Sequence, residues 1–343
     1  MSRGVAGVLL SLALVAVGCS DDDTDDPPAD SAPAPAPVLG AWHELMTDPA
    51  GGVLLVNGHP EDATDPGPVE LWRWDGERWT SLEPEGDVPS ARNFSAVAMD
   101  AVRGVLLLHG GLMPDGVSDE TWAWDGEAWS QVAGGSDGPG PRSASSMAYD
   151  AAAERMLLYG GDDGTAQHND TWAWDGEAWE QVAADGPTPV RWTAFMEYDA
   201  ASEAVVLYGG HQVVDEDAPI ALGDTWVWDG DGWRAARAAD QPGPLLNANG
   251  VAHPTLGLLL VGGADAASEE TGRVWTWSGS SWDALPADVV PQRQAFGLAY
   301  DEERDVVVLT GGVVEPGSTE RHQDVWEWSG DPATPAVRVP TGE

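Results

Sequence analysis

A tryptophan cassette recurs six times along this chain of 343 residues and constrains its fold more than any other feature. Two tryptophans stand two residues apart, an Asp-Gly or Ser-Gly pair follows, and five copies add a third tryptophan five residues after the second. The paired tryptophans are Trp72/Trp74, Trp122/Trp124, Trp172/Trp174, Trp226/Trp228, Trp275/Trp277 and Trp326/Trp328. The steps of 50, 50, 54, 49 and 51 residues between copies indicate six structural units of one kind.

Each cassette predicts a β-hairpin. Residues two apart on a strand share a face, and Asp-Gly or Ser-Gly supplies the positive-φ residue of a tight turn. An apolar run ending in glycine precedes each cassette, for example 156–161, and it lacks the polar alternation of a half-exposed strand. A further strand precedes each run. Four antiparallel strands per unit, covered on both faces by neighbouring units, predict an all-β fold, a six-bladed β-propeller.

These cassettes, the apolar runs and the period near 50 residues resemble the Kelch repeat, and the resemblance covers residues 40–343. It implies a Kelch-type propeller similar to the central domain of galactose oxidase. Both ends of the repeat region coincide with unit boundaries. We therefore expect the ring to close by side-chain packing between the first and last blades, not by a blade built from both termini.

The residues before the repeats predict export and lipid attachment. Arg3 precedes an apolar run, 5–17, that is too short to span a bilayer comfortably, and Cys19 follows directly after Gly18. This resembles a bacterial lipoprotein signal over 1–18, with lipid carried by Cys19. The alternative is an ordinary secretory signal with an incidental cysteine.

The segment 19–39 is rich in Asp, Pro and Ala, which predicts a disordered tether. The expected location is therefore the cell envelope, with lipid as the only membrane attachment. By resemblance to sorting rules, Ser20 favours the outer membrane if the bacterium has two membranes.

The amino-acid composition limits which partners and cofactors we expect. The 58 acidic and 15 basic residues give a formal net charge of -43, which argues against a nucleic acid partner because phosphate backbones are bound through Lys and Arg. The single cysteine excludes a disulfide framework and a multi-cysteine metal site. The seven histidines show no two-His spacing on one element, so we expect neither metal nor cofactor.

Four arginines share one register, eight residues before the Asp that ends the first strand of their unit: Arg92, Arg142, Arg191 and Arg293. One hypothesis places their guanidinium groups together at the centre of the rim with the longer loops, where they would bind an anionic ligand. The alternative is that each arginine pairs with a loop carboxylate and holds its own blade. Trp192 lies outside the cassettes, which are predicted to form the core between blades, and is therefore the candidate for ligand stacking.

Variable loops on a rigid scaffold are where binding usually resides. The leading interpretation is thus a non-enzymatic binding or scaffold module for a protein or an anionic carbohydrate. The alternative is an enzyme similar to sialic acid mutarotases or epimerases, with Arg142 and Arg191 holding a carboxylate beside an acid such as Glu216. A purely structural envelope protein is a third possibility. Galactose oxidase activity is excluded because its Tyr-Cys cofactor needs a cysteine, and none follows Cys19.

Overall fold

The computed structural model describes residues 36–39, 43–57, 67–212, 220–237, 241–264, 272–286, 288–313 and 320–341. Within these ranges all regular structure is β-strand, in 28 strands. The predicted signal and most of the predicted tether, 1–35, lie outside the described residues. In the described part of the chain, no helix is long and apolar enough to cross a membrane.

Six four-stranded antiparallel sheets follow one another along the chain, which confirms the predicted fold class, and each sheet is one blade. Blades 1 to 3 consist of β1 (Glu44–Thr47), β2 (Val53–Asn57), β3 (Glu70–Trp74) and β4 (Trp79–Leu82); β5 (Ala96–Asp100), β6 (Val105–His109), β9 (Thr121–Trp124) and β10 (Trp129–Ala133); and β11 (Ser146–Asp150), β12 (Arg155–Tyr159), β13 (Thr171–Trp174) and β14 (Trp179–Ala183).

Blades 4 to 6 have the same four-stranded plan. They consist of β15 (Phe195–Asp199), β16 (Ala204–Tyr208), β19 (Thr225–Trp228) and β20 (Trp233–Ala235); β21 (Asn249–His253), β22 (Gly257–Val261), β23 (Val274–Trp277) and β24 (Trp282–Ala284); and β25 (Gly297–Asp301), β26 (Val306–Thr310), β27 (Val325–Trp328) and β28 (Val337–Val339). Two short ribbons stand apart from the blades, β7 (Leu112–Met113) with β8 (Gly116–Val117), and β17 (His211–Gln212) with β18 (Ile220–Ala221).

The cassette forms the predicted hairpin. In blade 3, Trp174 lies opposite Trp179 across the turn between β13 and β14. The Asp175 side chain accepts hydrogen bonds from the backbone N–H of Glu177 and Ala178 at 2.8 and 2.9 Å, and Gly176 has a φ of 104°. An aspartate that caps its own turn and a glycine that reaches positive φ without strain explain why this dipeptide recurs.

The two rims of the propeller differ. Tight turns, between the first and second and between the third and fourth strands of each blade, lie together on what we call the turn rim. There Arg103 donates to the Glu154 carbonyl of the next blade at 3.1 Å, and Arg155 donates to the Gly230 carbonyl at 3.4 Å. The opposite, loop rim carries the connections between the second and third strands and those between blades.

The third tryptophan of a blade packs against the preceding blade. The indole Nε1 of Trp282 donates to Thr225 Oγ1 at 2.9 Å, and its ring meets the edge of Tyr208 at 5.3 Å. Trp179 and Trp233 repeat this arrangement on Thr121 and Thr171. The predicted packing between blades is therefore confirmed for these side chains.

Replacing Thr225 by Val would leave the buried Trp282 N–H without its acceptor. We expect a loss of about 1–2 kcal/mol in the free energy of unfolding, because an unpaired buried donor keeps its desolvation penalty. Urea titration followed by tryptophan fluorescence measures it. Thr80→Val, at an exposed strand position, is the control, and equal losses in the two variants would contradict the role of this hydrogen bond.

The ring closes as expected, by side-chain packing between blades 1 and 6. Each of these sheets takes its four strands from one end of the repeat region. Leu45, Val53 and Trp74 form one buried cluster with Val308 and Val325. The Trp74 indole also donates to a carboxylate oxygen of Glu327 at 3.1 Å.

Candidate functional site

The four arginines of the shared register are 1–3% exposed and turn inward toward their own blades. Arg142 shows the pattern most fully. Its guanidinium donates to the Gly160 carbonyl at 3.1 Å, to the Pro139 carbonyl at 2.6 Å, and to both oxygens of Asp170 at 2.6 and 3.2 Å. Each of the others also donates to a glycine carbonyl and to a carboxylate of its blade: Arg92 to Gly110 and Glu120, Arg191 to Gly209 and Asp224, and Arg293 to Gly311 and Asp324.

The same carboxylates also bind the first tryptophan of the cassette. In blade 3 the Trp172 indole donates to Asp170 at 2.8 Å. The equivalent pairs are Trp122 with Glu120, Trp226 with Asp224 and Trp326 with Asp324. In these four blades an arginine, an acid and an indole therefore form one hydrogen-bonded unit, which we call the Arg–acid–Trp frame.

The arginines and indoles compensate for the burial of these acids and lower the pKa of their carboxyls. Burial by itself would raise the pKa of the Asp170 carboxyl, but the hydrogen bond and charge of Arg142 outweigh it, so that this pKa lies below its usual value. The pKa values of the Glu120, Asp224 and Asp324 carboxyls are also lowered against the effect of burial, by the tryptophan indole and then the arginine at Glu120, and by the arginine and then the indole at the two aspartates. The frame therefore holds an ionised pair in each of these blades.

Blade 5 lacks both the arginine and the acid of the Arg–acid–Trp frame. Leu245 stands at the arginine register, and Arg273 stands two residues before Trp275, where the other blades carry the acid. A buried carboxylate without its arginine would be an uncompensated charge, which costs several kcal/mol. The paired replacement in blade 5 agrees with an internal structural frame. Blade 1 has Gly40 at the arginine register and keeps an acid, Glu70, which is exposed and accepts from the Trp72 indole at 3.1 Å.

The structure thus places these guanidinium groups inside the blades, in contact with carboxylates, as the alternative interpretation expected. It does not bring the four together on the wall of the central channel. The hypothesis that Arg92, Arg142, Arg191 and Arg293 converge on an anion is therefore corrected in its geometry, because each guanidinium is used by its own blade. A role for them in ligand binding stays a prediction.

Trp192 is half-buried at the loop rim. Its ring meets His211 edge-on at 5.8 Å, and the two backbones form a β-bridge. Among the described residues its buried Nε1 has no hydrogen-bond partner. Burial lowers the pKa of His211. Stacking of a ligand on Trp192 stays a prediction.

A central channel runs between the first strands of the six blades, with a cavity volume of about 700 Å³. At its loop-rim end, equivalent residues of blades 2 to 6 have a φ between 47° and 58°, although none is glycine: Phe94, Ala144, Thr193, Asn247 and Ala295. They link neighbouring blades, since the Ala144 N–H donates to the Phe94 carbonyl at 2.8 Å and the Thr193 N–H to the Ala144 carbonyl at 3.0 Å. Sequence analysis gave no indication of this feature.

Three glutamates line the channel, and two of them, Glu44 in blade 1 and Glu197 in blade 4, are partly buried, whereas Glu302 in blade 6 is exposed. Burial raises the pKa of the Glu44 and Glu197 carboxyls to about 7. Sequence analysis missed both residues. The sequence did carry a signal for Glu197. Blades 2, 3 and 6 have alanine at the equivalent position, so a glutamate there stands out: Ala98, Ala148 and Ala299.

These two carboxyls should make the propeller less stable as pH rises. Their pKa in the folded protein lies above the usual value of 4.5, so the folded state holds the protons more tightly. The resulting stability is complete below about pH 4.5 and is lost as pH rises through about 7. At pH 8 we expect Glu44→Gln/Glu197→Gln to be about 1–3 kcal/mol more stable than the wild type.

Urea titrations at pH 5 and pH 8 measure this difference. Glu127→Gln/Glu177→Gln, which removes two exposed glutamates, is the matched control. If both double variants changed stability alike at pH 8, the channel carboxyls would not carry the effect.

The two short ribbons lie on the loop rim and form its exposed apolar part. β7–β8 belongs to the connection between the second and third strands of blade 2, and β17–β18 to that of blade 4. They expose apolar side chains, with Leu112 46% and Ile220 51% exposed. Glu216, considered from the sequence as an acid beside Arg142 and Arg191, lies outside the described residues.

The fold defines the class of the protein, a six-bladed β-propeller of four-stranded antiparallel blades. The sequence model of the KLHDC2/KLHL20/DRC7 Kelch-repeats domain matches residues 51–242, which is more than half of the chain. The chain belongs to this Kelch-repeat family. A search of curated proteins gives no match to the chain.

Proposed function

We propose that this Kelch propeller is a binding module that contacts a protein partner through its loop rim. The observation that carries the proposal is the pair of ribbons, which hold apolar side chains out on a rigid scaffold. Exposed apolar groups of this kind are typical of protein interaction sites. The turn rim, in contrast, is formed by short capped turns that repeat from blade to blade.

The proposal includes export and attachment to the cell envelope through lipid on Cys19. The support is the sequence, an apolar segment followed by the single cysteine and then by an acidic, proline-rich stretch. Metabolic labelling with a radioactive fatty acid tests it. Label in the wild type and none in Cys19→Ser is expected, and equal labelling of the two proteins would contradict it.

An enzyme of the mutarotase or epimerase type gains no support. That chemistry needs an arginine and a carboxyl of raised pKa facing the same void. The channel holds Glu44 and Glu197, but its described lining contains no arginine. Arg142 and Arg191 bind Asp170 and Asp224 instead.

Site-specific crosslinking in the producing cells tests the proposal. A photoreactive phenylalanine analogue is placed at Leu112 or Ile220 on the loop rim, and at Val102 on the turn rim as a control. Val102 is also apolar, and it is 68% exposed. The expected result is one discrete crosslinked protein from both loop-rim positions and none from Val102.

The opposite pattern, crosslinking from Val102 alone, would contradict the proposal. A charge substitution gives a second arm, because Ile220→Asp should abolish crosslinking from Leu112 while Val102→Asp leaves it unchanged. Equal yields in these two variants would show that apolar contact at this rim does not hold the partner.

A further inference from the structure

We propose that the central channel binds a linear organic polycation of the polyamine class, with its ammonium groups held by Glu44, Glu197 and Glu302. This site is separate from the loop rim and does not depend on the proposed function.

The charge of the channel wall points to a cation. The described lining contains three glutamates, one histidine, and neither arginine nor lysine. That histidine, His43, is buried, and its Nε2 lies 3.2 Å from both the Gly297 nitrogen and the Thr310 carbonyl oxygen. The other titratable side chains of the lining are Tyr149, Tyr198 and Tyr300.

The channel carboxyls lack internal partners suited to a charge. Within the described part of the chain the Glu44 carboxyl has no hydrogen bond or ion pair, and the Glu197 carboxyl accepts one hydrogen bond, from the backbone N–H of Tyr198 at 2.9 Å. The frame carboxylates show the contrast, since each of them meets an arginine. Carboxyls that are partly buried and have no cationic partner, such as those of Glu44 and Glu197, are disposed to accept one.

The three glutamates lie at different depths. The first strand of each of these three blades has an aspartate at its end or directly after it: Asp48, Asp199 and Asp301. Glu44 stands four residues before its aspartate, Glu197 two residues before, and Glu302 one residue after. A strand rises about 3.3 Å per residue, so successive carboxyls are separated by several ångströms along the channel. Blades 1 and 4 are opposite each other in a ring of six. A chain that runs along the channel can therefore meet all three glutamates in turn.

The rest of the wall suits an alkyl chain with protonated amines. Aromatic rings and thioethers also line the channel, and aromatic faces attract ammonium groups. These side chains are Met46, Phe94, Met99, Met147, Tyr149, Phe195, Met196, Tyr198, Phe296 and Tyr300. No group of three or more His, Cys, Asp or Glu side chains that could hold a metal ion occurs in the described ranges. A polyamine therefore fits this wall better than a metal ion does.

Calorimetric titration of the full chain with spermidine, at 150 mM salt to screen the acidic surface, tests the proposal. At pH 8 we expect one saturable site, and at least tenfold weaker affinity at pH 5.5, which lies below the raised pKa of Glu44 and Glu197. Pentylamine, which has one amine, should bind at least tenfold more weakly than spermidine.

Glu44→Gln/Glu197→Gln should lose at least tenfold in spermidine affinity, whereas the exposed control Glu127→Gln/Glu177→Gln should bind as the wild type does. Near-UV circular dichroism verifies that both variants keep the folded packing of their tryptophans. Equal losses in the two variants, equal affinity for pentylamine and spermidine, or no saturable binding of spermidine at millimolar concentration would each overturn the proposal. None of these results would affect crosslinking at the loop rim.

Discussion

Arg142→Ala is expected to lower the free energy of unfolding by about 3–5 kcal/mol, because it removes one partner of a buried ion pair and leaves the other behind. Asp170 would keep only its bonds from Trp172 and Gln181. The Pro139 carbonyl would lose its donor, and the Gly160 carbonyl would keep only the Ser145 hydroxyl. Urea titration of the purified protein measures the change.

Arg78→Ala is the matched control for this prediction. Arg78 also lies near an aspartate, Asp75, at 3.6 Å, but its side chain is 73% exposed, and exposed ion pairs contribute little. We expect a change of less than about 0.5 kcal/mol. A similar small change for Arg142→Ala would mean that this arginine is free for another purpose, such as holding an anion.

Trp282→Ala should cost about 3–5 kcal/mol, since it empties a fully buried site between blades 4 and 5. The indole packs among Leu245, Leu260 and Trp277, and it donates to Thr225. Because each blade contacts only its neighbours, loss at one interface should also broaden the unfolding transition.

Thermal unfolding followed by calorimetry and by fluorescence measures both effects. Thr225→Val removes only the hydrogen bond. The difference in stability between the two variants therefore measures the packing of the Trp282 indole. If Trp282→Ala were no less stable than Thr225→Val, the tryptophans would not be the main contacts between blades.

The sequence predicted the fold well because the same constraint acts in all six units. Each unit needs Asp-Gly or Ser-Gly for its hairpin turn and tryptophans for its interface, so these residues recur at the same spacing. The way the ring closes could also be predicted, since both ends of the repeat region coincide with unit boundaries.

The partners of the arginines were harder to predict. Arg92 and Arg142 each lie 28 residues before their acids, and Arg191 and Arg293 lie 33 and 31 residues before theirs, across loops of different length. The acids nevertheless hold a fixed place two residues before the first tryptophan of the cassette, and that register was the available signal. The exchange in blade 5, Leu245 with Arg273, points to the same pairing.

The channel carboxyls could not be predicted as a pair. Glu44 and Glu197 lie in different units at different registers, and only the closed ring brings them to one cavity. A residue that differs from its equivalents in only one repeat predicts little by itself. Its role becomes clear only when the six first strands enclose one channel.

The repeated arginines belong to the frame of the blades, which leaves binding to the loop rim and the channel. A double-mutant cycle on Arg142→Ala and Asp170→Ala measures this most directly. We predict a coupling energy of about 2 kcal/mol or more between the two side chains, in the range found for residues in one ion-pair network. A coupling near zero, with both single variants as stable as the wild type, would contradict the claim.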